Sequence, residues 1–266
     1  MKTARKVIVY VALTLLVVVV ALTTSVFLFK DRIIQQFIRE ANKSLNTPIK
    51  IGKIEVSAWQ DFPNLSIVFT DVYVEDSHQG TYPLLTAKTI SFSLNTYEVY
   101  QGKYSIRGLK VVDSETNLKI NAVGVSNYVI TKTTGKGGGG ITLDLKNVQL
   151  KNTKVRYLDQ LIHQHHVFSS DELTASIGVE NEVYRIEATG DLTTDQIGIR
   201  EKIFLNQKRF DVNARLDYDD ANNSIVIKPS KLAINKSVFD VRGTYRFNDK
   251  NEIDLITEAK DADIQT

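Results

Sequence analysis

Cysteine is absent from all 266 residues, which excludes a disulfide framework, a thiolate nucleophile and a cysteine-bound zinc site. An excess of one charge is missing too. Thirty-three Lys+Arg against thirty-one Asp+Glu leave +2, a balance that points to neither nucleic acid nor an acidic partner. Histidine is scarce: of four, His163 and His165 in "LIHQHH" would share a face on a strand, and His78 lies far off in sequence. With no third ligand near, the expectation is an exposed hairpin tip and no metal. The single tryptophan, Trp59, sits in "SAWQDFPNL" and reads as closing a strand turn with Phe62 and Pro63.

Catalytic patterns are likewise missing. "GVSNY" at 124–128 lacks the second glycine of a nucleophile elbow, and no Ser/His/Asp set is legible. The acidic pairs Glu75-Asp76 and Asp219-Asp220 fall in predicted turns, where carboxylates hold local backbone. The glycine run "TKTTGKGGGG" at 131–140 is no phosphate loop, because Lys136 is followed by Gly137 and then by the strand-like "ITLDL" rather than a helix. It reads as a flexible connection. The expectation is a protein without enzymatic activity and without cofactors.

What the chain does have begins at its N-terminus. Between Lys6 and Lys30 runs "VIVYVALTLLVVVVALTTSVFLF", residues 7–29, with no charge. As a helix it would reach about 34 Å, against ~30 Å of bilayer hydrocarbon. It exceeds the h-region of a signal peptide and lacks an A-x-A-like site, so an uncleaved anchor is expected. Lys2, Arg5 and Lys6 precede it, favouring a cytoplasmic N-terminus with the bulk of the chain outside. Next, "DRIIQQFIREANKSLN" sets Ile33, Ile34, Phe37, Ile38, Ala41 and Leu45 at helical spacing, an amphipathic helix that caps a sheet end or lies on the bilayer.

From Ile49 the period changes to two. In "LSIVFTDVYV" the apolar positions are Leu65, Ile67 and Phe69, then Val72 and Val74. The same switch of parity recurs at Ile141, Leu143, Leu145 then Val148, Leu150, and at Ile225, Ile227 then Leu232, Ile234. Because side chains alternate strictly along a strand, each switch implies a bulge or tight turn that redirects the chain while one face stays apolar. Further strand-like stretches include "TKVRYL", with Val155 and Tyr157, and "SVFDVRGTYRF", with Phe239 and Val241. Close spacing without helices predicts an antiparallel meander. Its apolar face is covered by a second sheet in a closed sandwich, or filled by lipid in a long curved sheet.

The order "TPIKIGKIEV", "DFPNLSIVFTDVYVED", "PLLTAKTISFSLN", "QGKYSIRGLKVVDSETNLKINAVGVSNY" and "ITLDLKNVQLKNTKVRYLDQ" resembles the N-terminal region of the AsmA-like family of envelope proteins. The resemblance implies an inner-membrane anchor holding a periplasmic β-groove that conducts phospholipids toward the outer membrane, in a Gram-negative envelope. It implies no catalytic residues. "GVSNYVI" matches the family's small signature only in part, and the chain stops soon after "EIDLITEA", so a truncated C-terminal end is expected.

The resulting expectation is a mainly β protein, with a transmembrane helix and an amphipathic helix followed by an antiparallel, repetitive sheet curved into an open groove. Its parts are 1–30 (N-terminus and anchor), 31–47 (capping helix), 48–134 (first groove segment), 135–140 (glycine-rich loop) and 141–266 (second segment). Membrane lipids are the expected partners, with acyl chains against Leu65, Ile67, Phe69, Ile141, Leu143, Leu145, Val155, Tyr157, Ile225, Ile227, Phe239 and Val241. The function expected is lipid transport between inner and outer membranes or outer-membrane maintenance. The alternative is a structural scaffold for envelope assembly.

Overall fold

The computed structural model describes Thr24, Ile34, Gln35, Ile38, Arg39 and residues 45–78, 80–101, 103–130, 141–180, 183–219, 221–246 and 252–260. The expected span at 7–29, apart from Thr24, and most of the expected helix at 31–47 lie outside these residues. The five isolated positions are helical, whereas residues 45–47 are not. Among the described residues no helix is long and apolar enough to cross a membrane.

The rest is mainly β. Period-two alternation of β-branched and aromatic side chains produces β1 (Ile49–Asp61), β2 (Asn64–Glu75), β3 (Pro83–Leu94), β4 (Tyr104–Ile120), β5 (Ile141–Asp159) and β6 (Gln164–Glu180). It continues through β7 (Val183–Ile199), β8 (Lys202–Phe204), β9 (Lys208–Asp219), β10 (Ser224–Ile234), β11 (Ser237–Arg246) and β12 (Glu252–Lys260). One short helix, α1 (Thr96–Tyr100), interrupts them, capped by the Asn95 side chain accepting from the Glu98 N–H. All twelve strands belong to one open sheet in the order β1-β2-β3-β4-β5-β6-β7-β9-β10-β11-β12, with β8 paired to the end of β7. A closed sandwich needs a second sheet, and the described strands supply none.

The antiparallel expectation fails at one junction. β4 and β5 run parallel, from Tyr104↔Ile141 to Ile120↔Asp159. Parallel neighbours need a crossover of a dozen or more residues, and residues 121–140 separate the two strands in sequence. The glycine run sits inside that crossover, outside the described residues.

Each segment with a switch of parity is one continuous strand. In β2 the switch falls at Asp71, whose φ of 53° is left-handed, while pairing on either side keeps one register, Lys53↔Thr70 and Ile51↔Val72. Asp113 (φ 51°) in β4 and Asn152 (φ 49°) in β5 continue this line across the sheet, the Asn152 amide donating to Asp113 at 2.7 Å. In β10 the device is a bulge between Ile227 and Ser230. The crease turns the chain without breaking the apolar face. Leu65, Ile67, Leu94, Val99 and Ile106 form a core on one side of it, and Val72, Val74, Leu84 and Ala87 a core on the other, which Ile90, opposite Phe69, joins from across the crease. Phe69 and Phe92, 5.5 Å apart and edge-on, pack against both.

Candidate functional site

Paired residues of neighbouring strands point to the same face, so the register traces rows of side chains across the whole sheet. One row runs Ile54, Phe69, Ile90, Val111, Leu150 and Leu173 in the first six strands. It goes on through Gly190, Val212, Leu232, Phe239 and Ala259 to β12. None of its members is polar. The adjacent row, one residue along, is Glu55, Val68, Ser91, Lys110, Gln149 and Thr174, then Thr189, Asn213, Lys231, Asp240 and Glu258, on the opposite face. The sheet therefore has one apolar and one polar side from edge to edge.

More apolar rows flank the first. Ile177, Ile186, Leu216, Ile227, Gly243 and Leu255 are successive partners, as are Tyr184, Tyr218, Ile225, Tyr245 and Ile253. Gly190 is required where it stands. Its φ is 150°, and a Cβ there would collide with the backbone of Glu172 and Leu173.

The two halves of this face differ in cover. In β1–β4 it is filled by the chain itself, with Val99 of α1 and Ile130 of the crossover packing onto the cores. Leu65 is 2% exposed and Ile67 0%, so these two expected lipid-facing residues have no surface left to offer. Phe69 and Leu145 pack at the margin of that core. Ile141 and Leu143 pair with Tyr104 and Ile106 through their backbones, and their side chains lie outside what is described. Beyond the crease Val155 pairs with Thr116 and Phe168. From β6 onward no second layer covers the rows among the described residues, and Ile225, Ile227, Phe239 and Val241 are half-buried on the apolar side.

Tyr157 lies on a row with Leu118, His166, Ile197 and Phe204. Its ring stacks on His166 at 5.8 Å, and its hydroxyl donates to Asp159 at 3.0 Å. Burial first, then the Asp159 carboxylate, push its pKa up to about 12. Burial also lowers the pKa of His166, helped by neighbouring His165. The expected histidine pair does not converge: His163 occupies the turn with φ 56°, while His165 is on β6 opposite Leu158 and Gly198. No group of three potential ligands exists among the described residues.

The β6, β7 and β9 members of the rows, such as Leu173, Ile186, Val212 and Leu216, are absent from the residues expected from sequence. The alternation in "LTASIGV", "YRIEATGDL" and "RFDVNARLDY" carries the same period and would have found them. No known protein-family model matches the chain, and no curated protein matches its sequence.

Proposed function

We propose that this protein is a membrane-anchored β-groove that holds phospholipid acyl chains along its apolar face. In this reading it contributes to lipid transport between inner and outer membranes or to outer-membrane maintenance, as AsmA-like proteins do. The observation that carries the reading is the set of uncharged rows crossing β6 to β12 without a covering layer among the described residues. From β6 to β12 the rows extend about 24 Å at the usual strand spacing. One leaflet's hydrocarbon is roughly 15 Å thick, half of the bilayer core. An acyl chain laid along a row fits, and each buried methylene contributes about 0.8 kcal/mol. Headgroups stay in water at the open side, and passive exchange needs no nucleotide.

The scaffold reading has its own support in β12, whose far edge has no strand partner among the described residues and which exposes Ile253 at 68%.

The test is a photoreactive residue at Val212 or Phe239 in the full chain, compared with one at Thr189 on the polar face. Phospholipid adducts at the first two and not at the third are expected, with phospholipid retained in native mass spectrometry. Absence of both adduct and bound lipid, with crosslinks to protein instead, would favour the scaffold.

A further inference from the structure

The strand ends where the chain enters the sheet at Ile49 carry exposed apolar turns. In the β4–β5 crossover Val123 is 80% exposed and Val129 60%. The β5–β6 turn presents Leu161 at 55% and Ile162 at 49%. Around β8, Ile203 is 59% exposed, Phe204 47% and Leu205 50%. The register places these turns side by side on one rim, since Ile120↔Asp159, Asp159↔Gln164, Gln164↔Ile199 and Ile199↔Lys202 are successive partners. At the opposite ends of the same half of the sheet, the β9–β10 turn is polar, with Asp219 bonded to Asn222.

These turns are built, not slack. The Asn121 side chain accepts from the N–H groups of Val123 at 3.1 Å and Val125 at 2.9 Å. The buried Asp159 carboxylate accepts from Leu161 at 2.9 Å and Ile162 at 3.1 Å. The Thr194 hydroxyl donates to the Leu205 carbonyl at 2.6 Å. Arg200, Leu205 and Gln207 hold left-handed φ values of 55°, 46° and 52°, which fix the β8 turn in shape. Internal partners for backbone polar groups are what a segment needs before it can leave water for hydrocarbon. Asp76 and Asp159 turn inward, while Arg200, Glu201 and Lys202, net one positive charge, remain exposed beside the apolar tips.

We propose that this rim is a second membrane contact, with its apolar turns seated in the surface of an anionic phospholipid bilayer. The occupant is indicated by the sequence that precedes Leu45. Residues 30–44 join the uncharged span at 7–29 to Leu45, and fifteen residues reach about 22 Å as a helix. The Asn46 N–H then donates to the Ile130 carbonyl at 2.7 Å, beside Val129. A bilayer holding residues 7–29 is thus within reach of the rim. Phe204 ends the row that runs through Leu118, Tyr157, His166 and Ile197, so docking would set the edge of the apolar face against lipid. The proposal rests on the membrane-anchor part of the function proposed above, not on acyl-chain binding within the sheet.

Because the chain has no cysteine, single cysteines at Val123, Leu161 and Phe204, with Ala221 as control, can carry an environment-sensitive fluorophore. The full chain is reconstituted in phosphatidylethanolamine and phosphatidylglycerol vesicles with doxyl-labelled lipid. Rim labels should emit blue-shifted light, be quenched severalfold more by doxyl lipid than by aqueous iodide, and respond to the phosphatidylglycerol fraction. The Ala221 label should behave oppositely. Iodide quenching at the rim equal to that at Ala221 overturns the proposal, as does a blue shift without doxyl quenching, which marks a protein partner. Alkaline extraction separates the two readings. A chain retained in vesicles with wet rim labels loses the docking but keeps the anchor, and a chain released from them loses both. The double variant Leu161→Asp, Phe204→Asp should retain its melting temperature, since both side chains are exposed, and lose the doxyl quenching of a Val123 label.

Discussion

Ile67 and Ile227 occupy the same apolar face and differ in what surrounds them. Ile67 is 0% exposed within a core, so Ile67→Ala is expected to cost ~2–5 kcal/mol in urea denaturation. Ile227 is half-buried on a row without cover, and Ile227→Ala should cost only about 1 kcal/mol, part of the value for full burial. His166 gives a pH test. Its folded-state pKa is depressed, so the unfolded chain takes up the proton first as pH falls. Its contribution to stability is complete above the unfolded pKa of about 6.5 and is lost on descending toward the folded value. Melting temperature should therefore fall as pH drops through about 6.5, and His166→Phe, which keeps a ring against Tyr157, should remove that component. Neither the burial of Ile67 nor that of His166 was legible in sequence, because the first depends on α1 and neighbouring strands and the second on Tyr157 and Phe168 beside it.

At the scale of elements, the crease and Gly190 decide where strands can bend. Asp71 is left-handed, so Asp71→Val should cost at least about 1–2 kcal/mol while Asp71→Gly stays near neutral. Gly190→Ala meets backbone and should cost roughly 1–3 kcal/mol. Gly178 has open space around its missing Cβ, and Gly178→Ala should change stability by no more than about 0.5 kcal/mol. Chemical denaturation of the pair reads the contrast directly. The switch from Leu65, Ile67 and Phe69 to Val72 and Val74 was legible because parity is a local property of a strand. The parallel pairing of β4 with β5 was not, since twenty intervening residues decide it.

For the whole molecule, the polarity of the two faces is the property that matters. Val212→Lys puts a charge in the middle of an uncharged row at a half-buried position. It should abolish copurification of phospholipid while lowering the melting temperature only modestly. Thr189→Lys, on the polar face, should leave lipid retention unchanged, and native mass spectrometry distinguishes the two. Equal loss in both variants would argue that the apolar rows do not carry lipid.

Alternation alone determined that this protein is mainly β with one apolar side, because the face on which a side chain emerges follows from the two-residue period of a strand. Sequence order also marked the switch at Asp71 in β2 and the bulge in β10, each within a continuous strand, but not the continuation of the crease at Asp113 and Asn152. Only the tertiary structure decided that the strands form one open sheet, that two of them run parallel, and that the apolar rows align from β1 to β12. Pairing partners and cover are set by residues distant in sequence, and these determine which apolar side chains the protein uses to stabilise itself and which it leaves uncovered.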